Sequence, residues 1–123
     1  MKLHASVTAG LMTITAYDAG YVAVNGRKLT RSFLLTPRSL NEEWPVSGID
    51  ALNAENMAAI AALESPIVLL GTGARQRFPS AALLRPLIER RVGVEIMDTH
   101  AACRTYNILM AEGRDVAAAL IIE

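Results

Sequence analysis

The chain has 123 residues, 52% of them hydrophobic, and its 12 lysines and arginines balance 12 aspartates and glutamates. That length suits one domain with its own core, and a neutral balance lacks the general electrostatic attraction on which nucleic-acid binding depends. No apolar run approaches the roughly 20 residues that span a bilayer, and His4, Ser6 and Thr8 interrupt any signal-peptide core behind Lys2, so a soluble, cytoplasmic protein without a membrane span is expected.

Residues 1–46 read as β-rich. Met12, Ile14 and Ala16 alternate with Thr13, Thr15 and Tyr17, and Asp18-Ala19-Gly20 supplies a turn into a second strand, Tyr21 to Val24. Asn25-Gly26 then offers the left-handed conformations of a type I′ turn, so Arg27 to Thr36 is expected to return antiparallel. Pro37 to Pro45 and Ser47-Gly48 form a connector, with a short strand near Leu40 to Trp44. Trp44 is either an exposed interface anchor or a side chain pinning this connector to the core.

Residues 47–123 alternate helix and strand. From Asn53 the spacing of Met57, Ile60, Ala61 and Glu64 is helical, and Ser65-Pro66 stops it before the strand Ile67 to Leu70. Ser80 caps a helix with Leu83, Leu84, Leu87, Ile88 and Arg91 on one face, Pro86 inside it and Gly93 at its end. Val94 to Met97 is the next strand, Thr99 to Glu112 a helix closed by Gly113, and Val116 to Ile122 a last apolar strand. The result is a single α/β domain, α+β in character at its start: antiparallel hairpins followed by a βαβαβ half in a mixed sheet. Parallel strands bring their carboxyl ends to one edge.

That edge carries the candidate ligand-binding residues Gly71, Thr72, Gly73, Arg75, Arg77, Asp98, Thr99, Cys103 and Arg104. Glycines allow an anion close to the backbone, but Gln76 stands where a dinucleotide fingerprint needs its third glycine, and the P-loop ending is absent. A tight turn is the plain alternative. Arg75 and Arg77 offer planar forks for a carboxylate or phosphate, or are simply solvated. Asp98 or Thr99 caps the following helix, whose dipole together with Arg104 could lower the Cys103 pKa, with His100 the only local base. Otherwise Cys103 is a small buried hydrophobe. One cysteine and two distant histidines make neither a disulfide nor a metal site, and no cofactor is expected.

Leu69-Leu-Gly-Thr-Gly73, Gly93-Val-Glu-Ile-Met-Asp-Thr99, Ala102-Cys-Arg-Thr-Tyr-Asn-Ile-Leu109, Glu112-Gly-Arg114 and Ala117-Ala-Ala-Leu120 carry a resemblance. With these segments the chain resembles a family of small uncharacterised α/β proteins that includes the mitochondrial respiratory complex I assembly factor three. The resemblance implies one α/β domain with a mixed sheet and carries over no catalytic residues. Without a basic mitochondrial presequence, the chain looks like a prokaryotic relative. The leading expectation is therefore a protein-interaction or assembly module, with a protein partner or a homo-oligomer favoured by the apolar content and a small anion at the strand tips. The alternative is a binder of carboxylate or phosphate, or an enzyme, using Cys103 and Arg104.

Overall fold

The computed structural model describes residues 10–123. Residues 1–9, over which no signal-peptide core was read, lie outside the described residues. Strands β1 (Ile14–Asp18), β2 (Tyr21–Val24) and β3 (Arg27–Leu29) form an antiparallel sheet in that order. Strands β4 (Phe33–Thr36), β5 (Ser39–Asn41), β6 (Ile67–Gly71), β7 (Gly93–Met97) and β8 (Val116–Leu120) form a second sheet, ordered β5-β4-β8-β6-β7. There β6 runs parallel to both β7 and β8, while β4 is antiparallel to β5 and β8, so the sheet is mixed. Helices α1 (Ala54–Ala61), α2 (Ala81–Glu89) and α3 (Thr99–Ala111) and a 3₁₀ turn at Ile49–Ala51 accompany the sheets in this α/β fold.

The hairpin at Asn25-Gly26 forms because both residues take positive φ, 48° and 83°, as a type I′ turn requires. Asn25 Oδ1 also accepts the Thr13 N–H at 2.9 Å. Between Ile14 and Ala16 the β1–β2 register slips, and the bulged Thr15 accepts the Gly26 N–H through its hydroxyl at 3.0 Å.

Period-two alternation divides the large sheet between two cores. Phe33, Leu35, Leu69, Val116, Ala118 and Leu120 face one, while Leu34, Val68, Leu70, Ala117 and Ala119 face the other. Burial on both faces explains why β6 and β8 read as unbroken apolar runs. Ala102, Cys103, Tyr106 and Met110, one face of α3, cover the first core together with Ile14, Val22, Val24 and Leu29 of the small sheet. Met57 and Ile60 of α1, Leu87 of α2 and Trp44 cover the second.

Several boundaries differ from the sequence reading, each for a tertiary reason. Arg27 to Thr36 is not one returning strand, because the chain leaves the small sheet after Leu29 and joins the large one at Phe33. The crossing is held by buried Ser32, whose hydroxyl donates to the Val46 carbonyl and accepts the Ile122 N–H at 2.9 Å. The connector strand lies at Ser39–Asn41, turned back on β4, rather than at Leu40 to Trp44. Helix α1 ends at Ala61, and Glu64 sits outside it at φ 55°. Gly93 does not end α2: Arg91 takes the left-handed position at φ 60°, Val92 donates back to the Leu87 carbonyl at 3.0 Å, and Gly93 opens β7. On α2 only Leu87 of the apolar face is fully buried, and Ile88 is 60% exposed.

Candidate functional site

Topology delivers the two polar strand tips side by side, since Gly71 at the end of β6 pairs in register with both Met97 of β7 and Leu120 of β8. The tips then bond to each other. Thr72 donates its N–H to the Met97 carbonyl at 2.9 Å, Thr99 donates its N–H to the Gly73 carbonyl at 2.9 Å, and Gly73 donates to the Thr99 hydroxyl at 2.8 Å. That hydroxyl in turn donates to the Ile121 carbonyl at 2.7 Å. The Thr72 hydroxyl donates to the Arg75 carbonyl at 2.6 Å and accepts the Arg77 N–H at 3.1 Å, folding the loop over itself. Asp98 is the α3 cap, accepting the Ala101 N–H at 2.9 Å.

Two glycines serve this closure. A methyl group at Gly71 would stand 3.0 Å from the Thr99 Cα and 3.0 Å from a Leu120 methyl, so α3 starts against bare backbone. Gly73 has φ +100°, and a methyl there would meet the Glu123 carboxylate, whose Oε1 accepts the Ala74 N–H at 3.2 Å.

Of the residues named from sequence, the structure thus unites Gly71, Thr72, Gly73, Asp98 and Thr99 in one knot and disperses the others. Arg75 is exposed on the loop, and Arg77 forms an ion pair with Asp50 at 2.8 Å. Arg104 lies on the outer side of α3, donating to the Tyr17 hydroxyl at 3.1 Å. Cys103, one residue earlier, points into the core with no exposed surface. Burial pushes its thiol up to about 12, outweighing the opposing effect of the Arg104 charge, so the thiol is neutral near pH 7. His100 Nε2 lies 3.1 Å from the Asp18 carbonyl oxygen, and its ring is 4.7 Å from that of Tyr17.

A cleft of about 250 Å³ opens beside the knot, between the β1–β2 turn at Asp18–Tyr21, the loop at Gly73–Ala74, the start of α3 and Glu123. Of the candidates read from sequence, Gly73, Asp98 and Thr99 line this cleft, and Asp18, Tyr21 and Glu123, which were not among them, line it too. Asp18-Ala19-Gly20 is legible as a turn, but nothing in its residues shows that it rests on α3. A larger hollow of about 560 Å³ runs along Arg31, Glu42, Glu43 and Pro45. At its floor Trp44 is buried and donates its indole N–H to the Asn56 carbonyl at 3.1 Å, so it pins the connector. Among the described residues no three His, Cys, Asp or Glu side chains gather as a metal site, and no helix is long and apolar enough to cross a membrane.

Asn107 joins α3 to the small sheet. Its carboxamide accepts the Ile14 N–H at 3.0 Å and donates to the Ile14 carbonyl at 2.7 Å. One helical step away, the Tyr106 hydroxyl donates to the Met12 carbonyl at 2.7 Å, and burial raises its pKa above the usual tyrosine range.

The fold recurs in solved structures. A crystal structure of a Bordetella parapertussis protein superposes with a TM-score of 0.87 at 41% identity, covering 94% of this chain and 98% of that one. An NMR structure of a Xanthomonas campestris protein gives 0.83 at 42% identity, covering 94% and 87%. The bovine (Bos taurus) protein named NADH dehydrogenase [ubiquinone] 1 alpha subcomplex assembly factor 3 is 35% identical over 112 residues, 89% of this chain and 60% of that protein. The chain thus spans about three fifths of the length of that relative. The family model described as "Protein of unknown function (DUF498/DUF598)" matches residues 14–121, and the chain belongs to that family.

Proposed function

We propose that this domain is a protein-interaction module that takes part in assembling a larger complex and binds a partner protein rather than transforming a small molecule. The observation that carries the reading is the likeness to a protein named as an assembly factor, which extends over 89% of this chain rather than over one motif. Internal chemistry supports it. The strand tips spend their backbone groups on one another, and the Cys103 thiol is enclosed and held neutral. A reducing, cytoplasmic setting fits the one free cysteine. The test is purification of the tagged full chain from its native cells after mild cross-linking, with mass spectrometry of what accompanies it. One reproducible heteromeric complex is the expected result; repeated recovery of this chain alone overturns the reading.

A further inference from the structure

We propose that the outer edge of β7, with the arginines that bracket it, is a docking site for an extended acidic segment of a partner protein, which adds to the sheet as one more strand. This rests on the interaction-module reading and names the partner's chemistry. Gly93 donates to the Pro66 carbonyl at 2.8 Å and the Met97 carbonyl accepts from Thr72, so Gly93, Glu95 and Met97 turn their peptide groups towards β6. In a parallel ladder the alternate residues turn theirs the other way. Val94 and Ile96 therefore present N–H and C=O groups on the outer side, where no strand pairs among the described residues. The Ile96 carbonyl alone has a partner there, the Gln76 amide at 2.9 Å. An edge with three of these four backbone groups unpaired among the described residues is a template for a further strand.

Charge selects the occupant. Residues 74–92 hold Arg75, Arg77, Arg85, Arg90 and Arg91 against the single Glu89, a formal +4 in a chain whose total is zero. Two pairs of these arginines stand near the ends of β7: Arg90 and Arg91 precede it, separated from Gly93 by Val92, and Arg75 and Arg77 flank the Gln76 that touches its far end; Arg85 lies between the pairs in sequence, on α2. Arg77 is paired with Asp50, whereas Arg75, Arg85, Arg90 and Arg91 form no ion pair among the described residues. Glu95 lies on the opposite face of the strand from Val94 and Ile96. Apolar surface lies within the same basic segment, Phe78 being 69% and Ile88 60% exposed. The occupant fitted to this edge is extended, alternates acidic with apolar residues, and gains most of its contact from its backbone.

The probe is a fluorescent peptide of about eight residues alternating glutamate and valine, titrated into the full chain by anisotropy, with a lysine–valine peptide and polyglutamate as controls. Expected is saturable, salt-weakened binding of the glutamate–valine peptide alone. The variant Arg75→Glu/Arg85→Glu/Arg90→Glu/Arg91→Glu and the separate variant Val94→Pro should each weaken it by about tenfold or more. Proline at Val94 removes an outward N–H and no bond to β6. Should Val94→Pro fail to fold, amide exchange on the unaltered chain decides, because peptide addition should slow the Val94 and Ile96 N–H groups. Absence of saturable binding, equal binding of polyglutamate, or unchanged exchange at those two amides overturns the proposal. A native complex recovered equally by the four-arginine variant also overturns it while leaving the interaction-module reading intact; recovery of no complex by the unaltered chain overturns that reading alone, and the titration still decides the surface.

Discussion

The Asn107 side chain stands in for a neighbouring strand at Ile14: its Oδ1 takes the Ile14 N–H and its Nδ2 gives a hydrogen to the Ile14 carbonyl. Two backbone groups of β1 thus depend on one amide of α3. Asn107→Ala should cost about 1–2 kcal/mol in urea unfolding, because both groups are partly buried and lose their partners together. Asn107→Asp keeps the size but sets an oxygen against a carbonyl, and should cost at least as much. A loss under about 0.5 kcal/mol for the alanine variant would mean that water replaces the pairing.

Cys103 should react with iodoacetamide near neutral pH only at the rate of unfolding, since the thiol is enclosed and uncharged. Rapid labelling of the folded chain would contradict this. The pH dependence of stability has a definite sign. The folded thiol is raised from 9.0 to about 12, so the unfolded chain loses its proton first. This contribution to stability is intact below about pH 9 and disappears as pH climbs towards 12. Tyr106, also raised by burial, acts in the same direction. The measurement is urea midpoint against pH for the unaltered chain and for Cys103→Ala. The variant should lose less stability per pH unit above 9, whatever its stability at pH 7.

The two glycines of the tip loop should respond differently to alanine. At Gly71 the new methyl meets the Thr99 Cα at 3.0 Å, which is backbone and cannot step aside, so a cost of about 1–3 kcal/mol is expected. At Gly73 the obstruction is the end of the Glu123 side chain, beneath a φ of +100° that carries its own strain. Adding Glu123→Ala should therefore recover part of the loss in Gly73→Ala and none in Gly71→Ala. A double-mutant cycle by thermal unfolding tests this, and equal recovery in both would refute the distinction.

Phe78 should contribute almost nothing to folding. With 69% of its surface exposed, Phe78→Ser should shift stability by no more than about 0.5 kcal/mol. A larger loss by differential scanning calorimetry would mean that the ring packs on the protein after all.

What could be read beforehand was what local chemistry dictates. Asn25-Gly26 announced its turn because few other pairs adopt two positive φ angles, and Ser80, like the pair Asp98-Thr99, announced a helix start because such oxygens satisfy first-turn N–H groups, Asp98 being the one of its pair that does so. The adjacency of the two strand tips followed from parallel topology. What stayed hidden depends on residues far apart in the chain. Nothing near Ser32 reveals that Val46 and Ile122 will hold it at a crossing between sheets. Arg77 and Arg104 were legible as charges, but their partners Asp50 and Tyr17 are 27 and 87 positions away. For Cys103, burial rather than the nearby helix terminus decides its chemistry, and burial is set by the whole first core.

Strand β8 follows every other described strand in the chain yet lies in the middle of the large sheet, between β4 and β6. During synthesis, β4–β5 and β6–β7 therefore emerge as two unconnected pairs whose inner edges face an unfilled slot. They cannot become one sheet until residues 116–120 have left the ribosome. Stalled chains lacking β8 should bind chaperones and remain protease-sensitive, and those extended past it should become resistant in a single step.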